Sequence, residues 1–508
     1  MDYESADLAA RVEEAEIYSI AARTSLTYAP RLSARLGNRV LLKREDQQPA
    51  FSFKIRGAAN KILSMPDDLV ERGVICSSAG NHAQGVALAA SRRGVRAVIV
   101  MPETTPDIKV DAVRTFGGEV ILHGADYDEA QELALSMAED EALCFVHPFD
   151  DRDVIAGQGT IGRELLDQVN GELDAIFIPV GGGGIAAGVA TYVKVKRPDI
   201  AIYGVEPVDA ASMKAALEAG HPVTLEHVGS FADGVAVKRV GDETFRLCRQ
   251  HLDGMITVTT DQICTAIRDI FEDTRTVVEP AGALALAGLH CHVEEHGVTG
   301  RTLVAINCGA NMNFNRLGHV TERTAIGDRR EAILGVEIPE RPGSFLDFCK
   351  AIGERHVTEF NYRRNRDDRA RVFVGIELRS GDQDRHVLIG QLERAGYEVC
   401  DLTENEMAKV HVRHLAGGGA AGVPDERVYR FEFPERRGAL LAFLQAVGVD
   451  WNITLFHYRN HSSDYGRVLV AVQVPGDTLD EFQKHLADLG YHYWDETDNE
   501  AYRLFLQG

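Results

Sequence analysis

The sequence lacks the features of a membrane or secreted protein. No run of 18 apolar residues occurs among its 508 residues, so we expect no transmembrane helix. The N-terminal segment is acidic and amphipathic, without the basic-then-apolar layout of a signal peptide. The eight cysteines are scattered and never form C-x-x-C, which is typical of reduced thiols. We therefore expect a cytoplasmic protein with no membrane partner.

Positive charge is also scarce. Lysine and arginine total 54 against 77 aspartates and glutamates, giving a formal net charge of −23. This excess of negative charge repels phosphate backbones, so we expect no nucleic-acid partner. The histidine- and cysteine-rich segment 290–296 lacks a second ligand pair at zinc-site spacing, and we expect no metal site there.

Apolar runs and helical patterns alternate between about residues 70 and 310. Six continuously apolar runs predict strands that are buried on both faces; they lie at 74–79, 97–102, 119–123, 175–180, 201–206 and 302–307. Helical stripes such as Ala83, Val86, Ala87 and Ala90 separate them. The alternation predicts an α/β fold with a mostly parallel sheet and helices on both sides.

The last third of the chain contains an internal repeat. IPERPGSFLDF at 338–348 matches FPERRGALLAF at 433–443, and RVFVGIEL at 371–378 matches RVLVAVQV at 467–474. Each copy predicts a strand, a Pro-x-x-x-Gly turn, a helix and two strands, and a Gly/Ala-rich linker at 415–426 separates the copies. Neither copy carries a catalytic constellation, so this duplicated α+β region predicts ligand sensing or assembly.

Four consecutive glycines, Gly181–Gly184, lie between a predicted strand and a predicted helix in FIPVGGGGIAAG. Glycine lets backbone amides approach an anion, and a helix N-terminus adds positive potential, so the segment predicts a phosphate site. It lacks the G-K-[ST] ending of a nucleoside-triphosphate loop. Gly182-x-Gly184-x-x-Ala187 followed by Glu206 also fits a dinucleotide motif, so this segment alone leaves NAD as an alternative.

A second strand-to-helix turn is SSAGNHAQG at 77–85. Ser77, Ser78 and the turn amides are suited to bind a carboxylate at a helix N-terminus. Asn81 fits an N-cap equally well, and His82 is expected to be structural.

Lys54 follows Phe53 in SFKIRGA, among small and apolar residues. Considered alone, it is an ordinary solvated helix residue. Its apolar neighbours favour a desolvated amine with a lowered pKa, as a Schiff base with a carbonyl requires. A lysine, a phosphate loop and a carboxylate turn on one α/β sheet together predict pyridoxal phosphate (PLP) and an amino-acid substrate.

These segments resemble the fold type II PLP enzymes, and most closely the biosynthetic threonine deaminase (threonine ammonia-lyase) family. The resemblance covers essentially the whole chain. Besides the duplicated tail, which is similar to ACT domains, it is carried by KREDQQPAFSFKIRGA (43–58), SAGNHAQG (78–85), PVGGGGIAAG (179–188) and GANMNFNRL (309–317). It implies a PLP-dependent catalytic domain at 1–325, made of two α/β subdomains with open, mostly parallel sheets and flanking helices. It also implies two ACT-like, ferredoxin-like α+β regulatory domains at 331–405 and 427–508.

The resemblance also implies individual roles. Lys54 would bind PLP covalently and act as the catalytic base, Phe53 would lie against the ring, and Asn81 would hydrogen-bond the ring hydroxyl. Cys308 falls where the pyridine nitrogen has its partner; many biosynthetic members have serine there and related serine dehydratases have cysteine. The phosphate would be bound by Gly181, Gly182, Gly183, Gly184 and the amide of Ile185. The substrate carboxylate would be bound by Ser77, Ser78, Ala79, Gly80 and Asn81.

The implied reaction converts L-threonine to 2-oxobutanoate and ammonia, the first committed step of isoleucine biosynthesis, with L-serine as a further substrate. Isoleucine would inhibit and valine would oppose it, in a homotetramer. By the repeat symmetry, effector contacts are expected at Tyr362, Arg363, Tyr458 and Arg459. The same residues fit strand ends at the seam between the repeats equally well.

Other functions stay open at this point. Serine dehydratase and serine racemase share the PLP fold, although the duplicated tail disfavours both, and Glu206 fits the cation site of related serine racemases. An amino-acid sensor with a degenerate catalytic half would explain the tail, but the intact lysine and glycine run disfavour it. A NAD-dependent enzyme would carry no bound chromophore.

Overall fold

A computed structural model describes residues 3–327, 330–339, 344–353, 355, 357–363, 369–379, 381–414, 424–434, 451–459 and 465–506. The chain divides into two units, Met1–Phe314 and Asn315–Gly508. None of the helices in these described ranges is long and apolar enough to cross a membrane.

Ten strands form the framework of the first unit. They are β1 (Leu26–Tyr28), β2 (Arg39–Arg44), β3 (Val74–Ser77), β4 (Ala97–Met101), β5 (Glu119–Leu122), β6 (Cys144–Phe145), β7 (Ala175–Pro179), β8 (Ala201–Pro207), β9 (Gly254–Val258) and β10 (Thr302–Asn307). A six-stranded sheet has the order β1-β2-β10-β7-β8-β9, with only β1 antiparallel to its neighbour. A parallel four-stranded sheet has the order β5-β4-β3-β6.

The helices of this unit connect and cover these strands. They are α1 (Tyr3–Glu14), α2 (Pro30–Leu36), α3 (Lys54–Leu63), α4 (Asp67–Val70), α5 (Asn81–Arg93), α6 (Asp107–Thr115), α7 (Tyr127–Asp140), α8 (Arg152–Gln168), α9 (Gly184–Lys196), α10 (Ser212–Ala219), α11 (Asp242–His251), α12 (Thr260–Thr274) and α13 (Pro280–His296). The apolar stripe predicted on α5 is fully buried.

The α/β fold, all six predicted strands and the mostly parallel sheets implied by the resemblance are confirmed, whereas the single sheet predicted from the alternation alone is wrong. The runs at 74–123 belong to the smaller sheet, and those at 175–307 belong to the larger one. The unpredicted strand β6 pairs with β3 at the edge of the smaller sheet. The next strand in the chain, β7, pairs with β10 in the larger sheet. A continuous apolar run reports burial on both faces but does not identify the neighbouring strand.

The second unit contains two sheets of the same design. Its strands are β11 (Glu331–Pro339), β12 (Val357–Arg363), β13 (Arg369–Glu377), β14 (Glu398–Asp401), β15 (Glu426–Pro434), β16 (Asn452–Arg459), β17 (Tyr465–Gln473) and β18 (His492–Asp495). The antiparallel orders β12-β13-β11-β14 and β16-β17-β15-β18 are equivalent, which confirms the internal repeat. The fourth strand of each sheet was not predicted.

Helices accompany these sheets. The described ones are α14 (Leu317–Gly327), α15 (Ser344–Ile352), α16 (Gly381–Arg394), α17 (Glu406–Val410), α18 (Leu479–Asp488) and α19 (Glu500–Phe505). Helix α15 follows the first Pro-x-x-x-Gly segment, as predicted. The corresponding helix of the second copy, at 435–450, and the linker at 415–423 lie outside the described residues.

Candidate active site

Lys54 is the first residue of α3, directly after the buried Phe53. Its Nζ donates a hydrogen bond to the backbone oxygen of Pro148 at 2.8 Å and lies 5.4 Å from the centroid of the Phe53 ring. Burial lowers the pKa of Lys54 to about 8. About a tenth of this amine is therefore unprotonated at pH 7, far more than for an exposed lysine, and the unprotonated form is the one that attacks a carbonyl.

The predicted carboxylate turn joins β3 to the N-terminus of α5. Gly85 of α5 packs against the backbone of Lys54 and Ile55, where an added Cβ would be 3.2 Å from Ile55 N. Ser78 Oγ accepts a hydrogen bond from Gly80 N at 3.2 Å, which shapes the turn. Ser77 Oγ is buried and has no hydrogen-bond partner within the described part of the chain, so a ligand oxygen would satisfy it. Ala79 and Gly80 lie in the same half-buried turn.

His82 lies in this turn, and its structural role stays a prediction. Its Nε2 lies 2.8 Å from the backbone oxygen of Val146, and the ring is buried. Burial, with a smaller effect of Lys54, lowers the pKa of His82 to about 3. The imidazole is therefore neutral at physiological pH.

The glycine run joins β7 to α9, and it tolerates no side chain. Gly183 has φ +95°, in the left-handed region that favours glycine. A Cβ at Gly182 would overlap the Phe149 ring, and one at Gly181 would lie 2.9 Å from the Cα of Val235. Gly184 and Ile185 begin α9, where backbone amides and the helix dipole favour an anion. The residues present therefore fit the phosphate of PLP.

Cys308 follows β10 and contacts the segment that carries Lys54. Its backbone oxygen accepts a hydrogen bond from Phe53 N at 3.0 Å, and its Sγ donates to Ala281 O at 3.2 Å. Burial, and after it the Glu279 carboxylate, raises the pKa of the Cys308 thiol well above its usual value. The group at this position is therefore an uncharged thiol.

Asn81 belongs to a hydrogen-bonded chain that sequence reasoning missed. Its Nδ2 donates to Glu279 Oε1 at 2.6 Å, and its Oδ1 accepts from Asn311 Nδ2 at 2.7 Å. Asn81 is thus the first residue of α5 and, through its side chain, a neighbour of the start of α13.

Four residues of the site escaped prediction: Pro148, Phe149, Glu279 and Asn311. The first two lie in HPFDD, directly after the two-residue strand β6, which was too short to recognise. Glu279 precedes a proline at a helix start, a usable signal for a helix boundary but not for a site. Asn311 lies within the GANMNFNRL segment, where no role was assigned to it.

Glu206 serves another helix in this structure. Its carboxylate accepts hydrogen bonds from Met213 N at 2.7 Å and Lys214 N at 3.0 Å, at the start of α10. Burial raises the pKa of Glu206 to about 7. Both backbone donors stabilise the ionised form, so the residue acts as a buried anchor of α10.

The expected effector residues are only partly described. The backbones of Tyr362 and Arg363 lie at the end of β12, and those of Tyr458 and Arg459 at the end of β16. Their side chains lie outside the described residues. Among the side chains that are described, no group of three or more histidines, cysteines, aspartates or glutamates could hold a metal ion.

Comparisons with known proteins agree with this geometry. Residues 17–309 match the family model of pyridoxal-phosphate dependent enzymes, and residues 322–412 and 417–506 match the C-terminal regulatory domain of threonine dehydratase. The chain is 53% identical over 505 residues to a biosynthetic L-threonine dehydratase of Burkholderia multivorans, covering 99% of each chain.

Solved structures resemble a little under two thirds of the chain. Threonine deaminase isoform 2 of Solanum lycopersicum, in its processed form, matches with a TM-score of 0.62 and 47% identity, covering 64% of this chain and 94% of that one. Maize serine racemase matches with a TM-score of 0.58 and 33% identity, covering 62% and 96%. The full-length similarity includes the duplicated regulatory region, and the chain belongs to the biosynthetic threonine dehydratase family of pyridoxal-phosphate dependent enzymes.

Proposed function

We propose that this protein deaminates L-threonine to 2-oxobutanoate and ammonia as the first committed step of isoleucine biosynthesis. The observation that carries the proposal is the desolvated amine of Lys54. The amine donates a hydrogen bond to Pro148 O, and the neighbouring Phe149 packs on the glycine run. Helix α5, which begins at the predicted carboxylate turn, packs on the backbone of Lys54. Family membership supports the same reaction.

PLP, when bound, supplies an electron sink for negative charge that develops at the substrate Cα. Lys54 would hold it covalently, and the backbone amides of Gly181–Gly184 and Ile185 would bind its phosphate. Phe53 and Asn81 would contact the ring and its hydroxyl. Cys308, as a neutral thiol, would face the pyridine nitrogen without the charge of a carboxylate, which favours elimination over transamination.

The substrate carboxylate would bind at the Ser77–Asn81 turn, because the N-terminus of α5 supplies positive potential and Ser77 Oγ lacks a partner within the described chain. Once released, the Lys54 amine takes the proton from the threonine Cα. Its lowered pKa keeps the amine available as a base near neutral pH.

Replacing Lys54 tests this function. Lys54→Ala removes both the covalent attachment and the base, so threonine turnover falls by about 10⁴-fold or more and the visible absorbance of the bound cofactor disappears. Oxo-acid release and the absorbance spectrum measure the two effects. Normal turnover in this variant would show that Lys54 has neither role.

L-serine is a second candidate substrate, and Cys308 favours it because the resemblance places cysteine there in serine dehydratases. The ratio of kcat/KM for threonine and serine ranks the two. Racemisation of serine is disfavoured by the duplicated regulatory region, which matches the threonine dehydratase family model.

The second unit would act as the regulatory part, within the proposed boundaries 331–405 and 427–508 and after a catalytic domain at 1–325. Small apolar effectors, isoleucine as inhibitor and valine as its antagonist, would shift the balance between two states of a homotetramer. Tyr362, Arg363, Tyr458 and Arg459 remain the proposed contacts. A cytoplasmic location stays a prediction from the scattered cysteines.

A further inference from the structure

We propose that Glu279 is a positioning residue of the PLP site, which determines which end of the Asn81 amide faces the ring hydroxyl of the cofactor. This assignment rests on the proposed function. It concerns a carboxylate to which neither the motifs nor the expected site residues gave a role.

A continuous chain of hydrogen bonds leads to this carboxylate. Asn311 Nδ2 donates to Ala50 O at 2.8 Å and to Asn81 Oδ1 at 2.7 Å. Asn81 Nδ2 then donates to Glu279 Oε1 at 2.6 Å. Both ends of the Asn81 amide are therefore occupied by partners from segments that are about 200 residues distant in sequence.

Two acceptors set the direction of this chain, Ala50 O at one end and the Glu279 carboxylate at the other. The two ends of an asparagine amide have nearly the same shape, so only their partners decide which end is which. An ionised carboxylate accepts hydrogen bonds and donates none, so it selects the Nδ2 end of Asn81. Glu279 directly precedes the first residue of α13, so the positive end of that helix dipole lies near its carboxylate.

The surroundings hold the carboxylate in place. Glu279 is only 4% exposed, and its backbone N–H donates to Gly309 O at 3.2 Å. A Cβ at Gly309 would overlap Oε1 of Glu279, so the absence of a side chain there makes room for the carboxylate. The side chain makes no capping hydrogen bond to α13, so capping does not account for its position.

One hydrogen of Asn81 Nδ2 is left after the bond to Glu279, and the proposed role of Asn81 needs that hydrogen. A donor stabilises the ionised form of the ring hydroxyl, whereas an amide turned by 180° would present its oxygen and stabilise the neutral form. Glu279 also acts electrostatically on Cys308, so it affects both of the residues expected at the ring hydroxyl and at the pyridine nitrogen.

The test uses the full-length, PLP-loaded protein and three variants. In Glu279→Ala the ratio of visible to near-ultraviolet absorbance of the bound cofactor falls at least about threefold. The dissociation constant of PLP rises about tenfold, which corresponds to the loss of one hydrogen bond to a charged group. Glu279→Gln, which keeps one acceptor oxygen, recovers part of both properties. Asn311→Ala, which removes the donor to Asn81 Oδ1, shifts the absorbance ratio in the same direction. It provides the test if Glu279→Ala does not fold.

Asp126→Ala is the matched control, because Asp126 is a carboxylate at the start of another helix, α7, and accepts from Asp128 N and Glu129 N. It should lower thermal stability without changing the absorbance ratio. If Glu279→Ala or Asn311→Ala also lowers only thermal stability, with the ratio and PLP affinity unchanged within about twofold, Glu279 has a purely structural role and the assignment is wrong. A wild-type protein that never acquires the visible band would instead contradict the proposed function, and this assignment with it.

Discussion

At Lys54, a charge that would be ordinary on an exposed helix becomes a reactive amine because its surroundings exclude water. Burial lowers its pKa from 10.5 to about 8. The same residue type on the surface would stay protonated and would not react with a carbonyl at neutral pH. The chemistry at this residue therefore depends on desolvation.

The lowered pKa predicts how the cofactor enters. In PLP-free protein the rate of covalent PLP attachment, followed by visible absorbance, should rise with pH up to about 8 and level off above about 9, because only the unprotonated amine reacts. A rate that keeps increasing about tenfold per pH unit to pH 10 would show an amine with its usual pKa.

Gly183 and Gly171 distinguish the effect of backbone strain from the effect of steric overlap at an added Cβ. Both have positive φ, +95° and +96°. A Cβ at Gly183 would lie 2.8 Å from Met213 Cε and 2.9 Å from Thr244 Cβ, whereas a Cβ at Gly171 would meet nothing within 4 Å. We expect Gly183→Ala to lose PLP affinity by at least about tenfold, and Gly171→Ala to cost only the strain of about 1 kcal/mol and to keep PLP affinity. Equilibrium dialysis measures PLP affinity, and thermal unfolding measures the loss of stability. Equal PLP affinity in both variants would show that the glycine run does not bind the phosphate.

Among the elements, β2, α3 and α8 are joined by a buried ionic network. Arg56 of α3 donates from Nη1 to Glu164 of α8 at 2.6 Å and from Nε to Glu45 at 2.7 Å, and Lys43 of β2 also contacts Glu164. All four side chains are at most 1% exposed. Because Arg56 lies two residues after Lys54, this network fixes the helix that carries the amine.

Removing one partner should be costly. Glu164→Gln leaves two buried cations with half of their counter-charge, so we expect a loss of about 3–5 kcal/mol in the free energy of unfolding. Asp167→Asn is the control on the same helix, because Asp167 pairs with Arg23 at the surface, where such pairs contribute about 1 kcal/mol or less. Thermal unfolding of the two variants compares them, and equal stability would show that the network is dispensable.

On the scale of the whole molecule, activity and regulation are assigned to different units, so a response to an effector requires a connection between them. Helix α14 follows directly after the first unit in the chain, and its Arg323 forms an ion pair with Glu406 of α17. Although burial opposes it, the Arg323 guanidinium lowers the pKa of Glu406. This ion pair lies within the second unit and joins its helix α14 to a short helix that lies in sequence between the two repeats.

Breaking this tie should change regulation more than catalysis. We expect Glu406→Gln to keep threonine turnover in the absence of effector and to raise the half-inhibitory isoleucine concentration about tenfold, within the usual range of coupling energies. Glu404→Gln, in the same segment with a side chain that is 77% exposed, is the control and should respond as the wild type does. Unchanged inhibition in Glu406→Gln would show that coupling does not pass through this ion pair.

Prediction from sequence succeeded where a local pattern carries the physical cause. The strands were predicted because continuous apolar runs report burial on both faces, and the repeat is recognisable because both copies keep the same motifs. It failed for Phe149 and Glu279. Phe149 follows a strand of two residues, and Glu279 meets Asn81 across 198 positions of the sequence.

The sequence by itself determined the α/β alternation, the duplicated tail, the glycine loop and the candidate lysine, because periodicity and glycine content act over a few neighbouring residues. Only the tertiary structure decided which strands share each sheet, that the Lys54 amine bonds to Pro148 O, and that Glu279 accepts a hydrogen bond from Asn81. Strand partners, burial and the direction of a hydrogen bond depend on atoms brought together from distant parts of the chain, and no local pattern contains that information.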